Sequence, residues 1–211
     1  MRSMCLAAVL ACSAALATAK DKEPVSLFDG KTLNGWKVTG CEAVVEDGAI
    51  LLKAGNGMVR TQREYRDFIL EIEWKALKPD GWDSGVFFRC IPGDDMMGYE
   101  CQIHNGFQDG DRTVPQDCGT GGFFRRQNAR RVVADDLTWF HMTLVADGSH
   151  MAAWVNGYQV SDWTDDRPAN ENPRKGLRLE PGTIMIQGHD PTTNISFRNL
   201  RIAESAPREE S

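Results

Sequence analysis

The segments Gly85-Val-Phe-Phe-Arg-Cys-Ile91 and Gly98-Tyr-Glu-Cys-Gln-Ile-His104 carry the pattern that decides the fold. Both are short and rich in β-branched and aromatic residues, and the turn-forming run Pro92-Gly-Asp-Asp95 follows the first of them. This arrangement is typical of two antiparallel strands joined by a hairpin. Because side chains alternate between the two faces of a strand, the pattern predicts a sheet with one apolar face and one polar face.

The register of this hairpin decides which side chains meet. With the turn centred after Asp95, Arg89 lies opposite Gln102, and Cys90 lies opposite Cys101. The apolar face, which suits the core, then carries Phe88, Cys90, Cys101 and Ile103. The polar face carries Phe87, Arg89, Glu100, Gln102 and His104.

A polar row on one face of a sheet needs either water or a ligand. A solvated surface with an Arg89–Glu100 ion pair would satisfy it, because surface pairs are common and contribute little. A second segment, Thr183-Ile-Met-Ile-Gln-Gly-His189, favours a ligand because it repeats the pattern. Its polar face carries Met185, Gln187 and His189. Two such rows together would form a cleft that binds sugars through amides, carboxylates and arginine.

Short β-rich runs recur along the rest of the chain. They span residues 43–45, 49–53, 68–74, 141–146, 151–155 and 195–202. Turn signals such as Glu46-Asp-Gly48 and Val155-Asn-Gly157 separate them. No segment has a sustained helical period, and no low-complexity linker divides the chain. The sequence therefore predicts one all-β domain, an antiparallel β-sandwich or jelly roll.

One long stretch interrupts this rhythm. Residues 105–131 are rich in Gly, Asp, Gln and Arg and contain few large apolar side chains. A loop of this length in a compact domain is usually either functional or mobile. We expect it to cover a site, with Cys118 as a residue that would hold it in place.

The first 19 residues have the features of a signal peptide. Arg2 precedes an apolar run, and Ala17-Thr-Ala19 is a small-residue cleavage site. The run is shorter than the ~20 residues that a membrane-spanning helix needs. Alternatively, Val9-Leu-Ala-Cys12 resembles a lipoprotein box, and cleavage before Cys12 would leave a lipid anchor. Both alternatives predict export to the periplasm or cell envelope, as a secreted protein or an outer-membrane lipoprotein.

Composition excludes some classes of partner. The 211 residues carry a net charge of −6 and have a hydrophobic fraction of 41%, which is enough for a real core. No basic cluster dominates, so a nucleic-acid partner is not expected.

The four cysteines beyond the signal segment are Cys41, Cys90, Cys101 and Cys118. Their even number fits disulfide formation in an oxidising compartment, although their spacing matches no zinc ribbon or finger. A bridge between Cys90 and Cys101 would require the hairpin register described above.

Several motifs, in order, resemble the bacterial 3-keto-disaccharide hydrolase domain family. They are SLFDGKTLNGWKVTG (Ser26–Gly40), YRDFILEIEWKALKPDGWDSGVFFR (Tyr65–Arg89), GYECQIHN (Gly98–Asn105), TGGFF (Thr120–Phe124), VNGYQV (Val155–Val160) and GTIMIQGHDPTTNISFRNLRI (Gly182–Ile202). The resemblance covers residues 24–204 and implies a concanavalin-A-like jelly roll that acts on glycosides oxidised at C3. Such a substrate can lose its aglycone by C2 proton abstraction and β-elimination, and later hydration gives net hydrolysis.

The resemblance also suggests site residues. Glu100 and His189 are the expected acid–base residues. The expected substrate-binding residues are Asp83, Ser84, Arg89, Gln102, His104 and Gln187. Members of the family have been associated with a divalent metal, for which Glu100, His104 and His189 are the candidate ligands. The alternative function is a non-catalytic, lectin-like carbohydrate-binding module, because such modules share this sandwich.

Overall fold

A computed structural model describes residues 22–79, 83–93 and 96–205 of the chain. Its regular elements are strands. The first seven are β1 (Val25–Ser26), β2 (Trp36–Glu46), β3 (Ala49–Tyr65), β4 (Phe68–Ala76), β5 (Ser84–Cys90), β6 (Tyr99–Ile103) and β7 (Phe107–Gln108). The others are β8 (Asp111–Pro115), β9 (Phe140–Asp147), β10 (His150–Val155), β11 (Tyr158–Thr164), β12 (Gly182–Gly188) and β13 (Asn194–Glu204).

Eleven of these strands form one antiparallel sheet that curls over a core. The order is β11-β10-β9-β4-β13-β3-β12-β5-β6, with β1 paired to β13 and β2 paired to β3. Strands β4 and β9 alternate between buried and more exposed residues, so one of their faces covers the core. Strands β5 and β12 are buried throughout, so both of their faces are covered. The prediction of an all-β jelly-roll sandwich is confirmed.

Strand β3 connects the two halves of the curled sheet. Its segment Ile50–Lys53 pairs with β13, whereas its segment Gly57–Tyr65 pairs with β12. Between them, Gly55 has a φ of 92°, and a Cβ at this position would lie 2.5 Å from the carbonyl oxygen of Gly40. No side chain fits there, and glycine allows the chain to turn from one half into the other.

The hairpin of β5 and β6 has a different register from the predicted one. Gly85 pairs with Gln102, and Val86 pairs with Cys101. Cys90 therefore does not face Cys101. No disulfide bond joins the four cysteines that the structure describes.

Residues 105–131 contain the small β7–β8 hairpin and then return to the edge of the main sheet. The amide of Gly121 donates to the carbonyl oxygen of Gln102, and the amide of Phe124 donates to that of Glu100. The stretch that the sequence predicts as a covering loop is thus bonded along β6.

No helix among the described residues is long and apolar enough to cross a membrane. The predicted signal peptide, its cleavage site and the alternative anchor at Cys12 lie outside the described residues.

Candidate functional site

Three rows of side chains cross β12, β5 and β6 on the face turned away from the main core. Strand pairing defines the first row, which consists of Met185, Phe87 and Glu100. Continuing the same registers defines a second row, which consists of Gln187, Gly85 and Gln102. The third row lies just beyond the strand ends and consists of His189, Asp83 and His104. The alternation of strand residues thus places most of the predicted site residues on one face.

Gly85 has no side chain in the middle of these rows, and the side chains of Glu100 and Phe87 lie over it. A Cβ at Gly85 would lie 3.0 Å from Oε1 of Glu100 and 3.3 Å from a ring carbon of Phe87. We call the surface over Gly85, between Gln102 and Gln187, the Gly85 hollow. Because the side chains of Glu100 and Phe87 lie this close, any larger residue at position 85 would press against both of them.

The two glutamines beside the hollow are buried and only partly bonded. Gln102 is 1% exposed and Gln187 is 6% exposed. Nε2 of Gln102 donates to Oδ1 of Asp83 at 2.6 Å and to Oδ2 of Asp117 at 2.8 Å. Within the described part of the chain, the Oε1 atoms of both glutamines accept no hydrogen bond. A buried acceptor without a donor is costly, so these two atoms are suited to hydroxyl groups of a ligand.

Asp83 and Asp117 form a carboxyl pair on one side of the hollow. Burial and, after it, the nearby negative charge of Asp117 raise the pKa of Asp83 to about 7. Asp117 has a φ of 42°, in the left-handed region that aspartate tolerates better than most residues. Asp83 therefore titrates near neutral pH, unlike an ordinary aspartate.

His189 stands at the outer side of this pair. Its Nε2 lies 3.6 Å from Oδ2 of Asp83, and its Nδ1 lies 2.9 Å from Oδ2 of Asp190. The hydrogen bond with Asp190 is the main cause that raises the pKa of His189. The side chain is 46% exposed, so it reaches both the carboxyl pair and solvent.

Glu100 lies on the opposite side of the hollow. Burial raises its pKa to about 7, and the guanidinium of Arg174, 3.2 Å away, opposes this shift. The side chain of Glu100 is 8% exposed. Arg174 itself lies over the rings of Phe87 and Phe124. The site therefore has a titratable carboxyl group on each side of the two glutamines.

Arg89 is not part of this face, and its predicted place beside Glu100 and Gln102 is wrong. Its φ of 49° and a register shift between β5 and β12 mark a bulge that reverses the expected alternation. The fully buried guanidinium bonds to Oδ1 of Asp67 at 2.8 Å. It also donates to the carbonyl oxygens of Arg66, Gly148 and Arg178. The same bulge moves Cys90, which was expected in the core, into a small cluster with Phe87.

Ser84 and His104 have local partners. The hydroxyl of Ser84 is buried and donates to the carbonyl oxygen of Gln187 at 2.8 Å, which ties β5 to β12 on the core side of the face. His104 accepts the backbone N–H of Gly106 at Nδ1, and burial lowers its pKa.

The candidate metal ligands do not form a metal centre in this arrangement. Within residues 22–79, 83–93 and 96–205, no group of three or more His, Cys, Asp or Glu side chains is placed to hold a metal ion. Nδ1 of His104 already accepts a hydrogen bond from the amide of Gly106, and Nδ1 of His189 already forms a hydrogen bond with Asp190.

The structure adds three residues that the sequence reasoning missed. Asp117 comes from the covering loop, and its only signal was that loop's unusual length. Asp190 follows His189 directly in the sequence, so it was within reach of the reasoning. No sequence pattern indicates Arg174, because it comes from an irregular segment 74 residues away from Glu100 in the chain.

Comparisons with known proteins agree with this architecture. A 3-keto-disaccharide hydrolase of Bacteroides thetaiotaomicron is 33% identical over 78 residues, a match that spans 26% of its length. The solved structure of a predicted glycosyl hydrolase from Parabacteroides distasonis superposes with a TM-score of 0.67 at 18% identity, over 89% of this chain and 100% of that one.

The carbohydrate-binding module CBM66 of Bacillus subtilis superposes with a TM-score of 0.56 at 15% identity, over 79% of this chain and 93% of the module. At these identities the two structures show the fold alone, and the fold is shared by enzymes and binding modules. The family model for the 3-keto-alpha-glucoside-1,2-lyase-like domain matches residues 23–203, so the chain belongs to that family.

Proposed function

We propose that this protein cleaves the glycosidic bond of 3-keto-glycosides by β-elimination, followed by hydration. The Gly85 hollow carries the proposal. It combines two buried acceptors, Gln102 and Gln187, with carboxyl groups of raised pKa on both sides. The acceptors suit sugar hydroxyls, and carboxyl groups that titrate near neutral pH suit proton transfer in both directions.

The reaction needs a base that acts at C2 of the sugar and an acid that acts at the oxygen on C1. The C3 ketone acidifies the C2–H bond, and a base removes that proton to give an enolate. The enolate then expels the aglycone oxygen from C1 and forms a C1=C2 double bond. An acid gives its proton to the leaving oxygen. Addition of water across C1=C2 yields the free 3-keto sugar, so the net result is hydrolysis.

The two sides of the hollow supply these roles. Glu100 would act as the base, since Arg174 stabilises its ionised form and burial keeps it basic. The Asp83–Asp117 pair would act as the acid, with His189 beside it as a proton donor from solvent. Gln102 and Gln187 would hold the sugar ring between them through its hydroxyls.

Whether the activity requires a divalent cation is tested by the chelator in the experiment below. Among the residues that the structure describes, no cluster of donors encloses a metal, and the proton-transfer steps above need only the side chains. Export to the periplasm or cell envelope, with or without a lipid anchor at Cys12, likewise stays a proposal from the sequence.

The rival proposal is a carbohydrate-binding module without activity. The titratable groups favour the enzyme, because binding alone needs no carboxyl group with a pKa near 7. A binding module would tolerate loss of the charge on Glu100, whereas the enzyme would not.

The deciding experiment incubates the purified protein with a 3-keto-glucoside and with the unoxidised glucoside, each with and without a chelator. We expect release of the aglycone from the 3-keto-glucoside only, because only its C2–H is acidic. In D₂O the released 3-keto sugar should carry more deuterium at C2 than the same free sugar acquires by keto–enol exchange without the protein, as an elimination and addition sequence requires. Binding of either sugar without release would instead establish the module, and loss of turnover with chelator would establish the metal requirement.

The two raised pKa values predict the pH dependence of activity. Below about pH 7, Glu100 becomes protonated and cannot accept the C2 proton. Above about pH 7, Asp83 loses the proton that the leaving group requires. We therefore expect kcat/KM to follow a bell-shaped profile with its maximum near neutral pH. A rate that stays flat from pH 5 to pH 9, on the order of two units either side of neutrality, would contradict these roles.

Stability gives an independent check of the same groups. The pKa of Glu100 is raised from its ordinary value of 4.5 to about 7. Between these values the folded state holds a proton that the unfolded state has lost, so the free energy of unfolding should fall as the pH rises through this window. Glutamine does not titrate, so the free energy of unfolding of Glu100→Gln should fall less over the same pH window. Denaturation of both proteins at several pH values measures the difference.

A further inference from the structure

We propose that Asp190 is a positioning residue, which fixes the ring of His189 so that its Nε2 returns a proton to Asp83 after each turnover. This inference goes one step beyond the proposed function and rests on it. It is carried by the geometry of residues 189–193, the turn between β12 and β13.

The turn holds the carboxylate of Asp190 in one direction. Oδ1 of Asp190 accepts the amide N–H of Thr192 at 2.6 Å, and Oδ2 lies 2.9 Å from Nδ1 of His189. The amide of Asp190 donates to the hydroxyl of Thr193 at 3.2 Å, and the amide of Thr193 donates to the carbonyl oxygen of Asp190 at 3.0 Å. Because local hydrogen bonds fix the carboxylate, its Oδ2 also fixes the ring.

Thr193 connects the same turn to Asp83. It is 1% exposed, and its hydroxyl donates to the carbonyl oxygen of Asp83 at 3.4 Å. Its own carbonyl oxygen accepts the amide of Ala54 on β3. The imidazole ring and the carboxyl group are therefore held by one piece of backbone, with Nε2 of His189 at 3.6 Å from Oδ2 of Asp83.

The hydrogen bonds of Asp83 decide which of its oxygens carries a proton. Oδ1 accepts the amide N–H of Ser84 at 2.8 Å and Nε2 of Gln102 at 2.6 Å. An oxygen that accepts two N–H donors is the carbonyl oxygen of a protonated carboxyl group. The proton of Asp83 therefore lies on Oδ2, the oxygen that faces His189.

Asp190 also decides which nitrogen of the neutral His189 ring carries the proton. A carboxylate only accepts hydrogen bonds, so the ring proton stays on Nδ1 and Nε2 is the nitrogen that exchanges. When the leaving oxygen has taken the proton of Asp83, the imidazolium of His189 gives its Nε2 proton to Oδ2. The ring is 46% exposed, so the neutral form then takes a new proton from solvent at Nε2.

Asp190→Asn tests this role because asparagine keeps the shape of the turn. Its side-chain oxygen can still accept the amide of Thr192, and its NH₂ group then faces Nδ1 of His189. The amide donates where the carboxylate accepted, so the neutral ring should carry its proton on Nε2 instead of Nδ1. ¹⁵N NMR of both purified proteins at alkaline pH measures this change, with His189→Gln to assign the signal among the four histidines.

The same variant should lower kcat on a 3-keto-glucoside by about tenfold, less than the 10²–10⁴-fold that a general acid itself contributes. KM should stay nearly unchanged, because Asp190 does not contact the sugar. Since Asp190 acts through the ring, adding Asp190→Asn to His189→Gln should lower kcat no further. The same loss in the presence and absence of the ring would show a merely structural role and overturn the proposal.

The matched control is Asp162→Asn, which makes the same change beside His150, whose Nε2 lies 2.8 Å from Oδ1 of Asp162. It should leave both the NMR signal of His189 and kcat unchanged. A neutral His189 with its proton on Nε2 in the unmodified protein, or an equal loss of kcat in the control, would contradict the assignment. If the unmodified protein cleaves no 3-keto-glucoside, the proposed function fails, and the NMR signal still decides whether Asp190 directs the ring.

Discussion

Glu100→Gln is expected to lower kcat on a 3-keto-glucoside by about 10²–10⁴-fold, the usual contribution of a general base. The amide keeps the shape of the side chain but cannot take the C2 proton. KM should change much less, because Gln102 and Gln187 would still accept hydrogen bonds from the hydroxyls of the sugar. Stopped assays of aglycone release at pH 7 would measure the loss.

A matched control is Glu71→Gln, which makes the same change on a half-exposed strand residue 4.0 Å from Arg201. It should leave kcat and stability nearly unchanged, since such surface pairs contribute little. Full activity in Glu100→Gln would remove the base from the proposed mechanism. A loss of activity accompanied by a large fall in melting temperature would point to a structural role instead.

Arg89→Met is expected to lower the free energy of unfolding by about 3–5 kcal/mol, the cost of removing one partner of a buried ion pair. Asp67 is 5% exposed and would lose the buried guanidinium that bonds to its Oδ1. The carbonyl oxygens of Arg66, Gly148 and Arg178 would also lose their donor. Chemical denaturation of the purified variant is the direct measurement.

Arg66→Met provides the comparison, because Arg66 pairs with the same carboxylate at 3.3 Å but is 43% exposed. Its cost should stay below about 1 kcal/mol. If Arg89→Met is too unstable to purify, Arg89→Met with Asp67→Asn removes the stranded charge and should recover part of the stability. A stable Arg89→Met that has lost only substrate affinity would restore the binding role predicted from the sequence.

The sequence was sufficient to predict the class of fold and to place Glu100, Gln102 and Gln187 on one face of the sheet. Alternation within β6 puts Glu100 and Gln102 on the same side whatever the exact register, and the same argument holds for Gln187. The actual register of β5 and β6 differs from the predicted one by an even number of residues. An even shift preserves the face of every paired residue, so the error did no harm there.

The error at Arg89 has a different origin. A single left-handed residue in β5 reverses the side on which the next side chains fall, and nothing in the local sequence marks it. Arg89 and Cys90 therefore exchanged places relative to the expectation. At its actual place the guanidinium of Arg89 bonds to the buried carboxylate of Asp67, between β3 and β4, and this partner could not be read from the alternation within β5.

The contributions of Asp117 and Arg174 were also beyond sequence reasoning. Each comes from an irregular segment whose path depends on tertiary contacts and not on periodicity. The length and composition of residues 105–131 could indicate a functional loop, but not which of its carboxylates would reach Gln102.

The last of the described strands, β13, lies in the middle of the sheet, between β4 and β3, and also pairs with β1. The partners of β13 are therefore synthesised up to 177 residues before it, as the pairing of Val25 with Ile202 shows. Until residues 194–204 emerge, β3 and β4 each expose a row of unpaired backbone groups. The sheet can close only after the whole domain has been made, so a chaperone that shields β3 and β4 in the meantime would directly increase the folding yield.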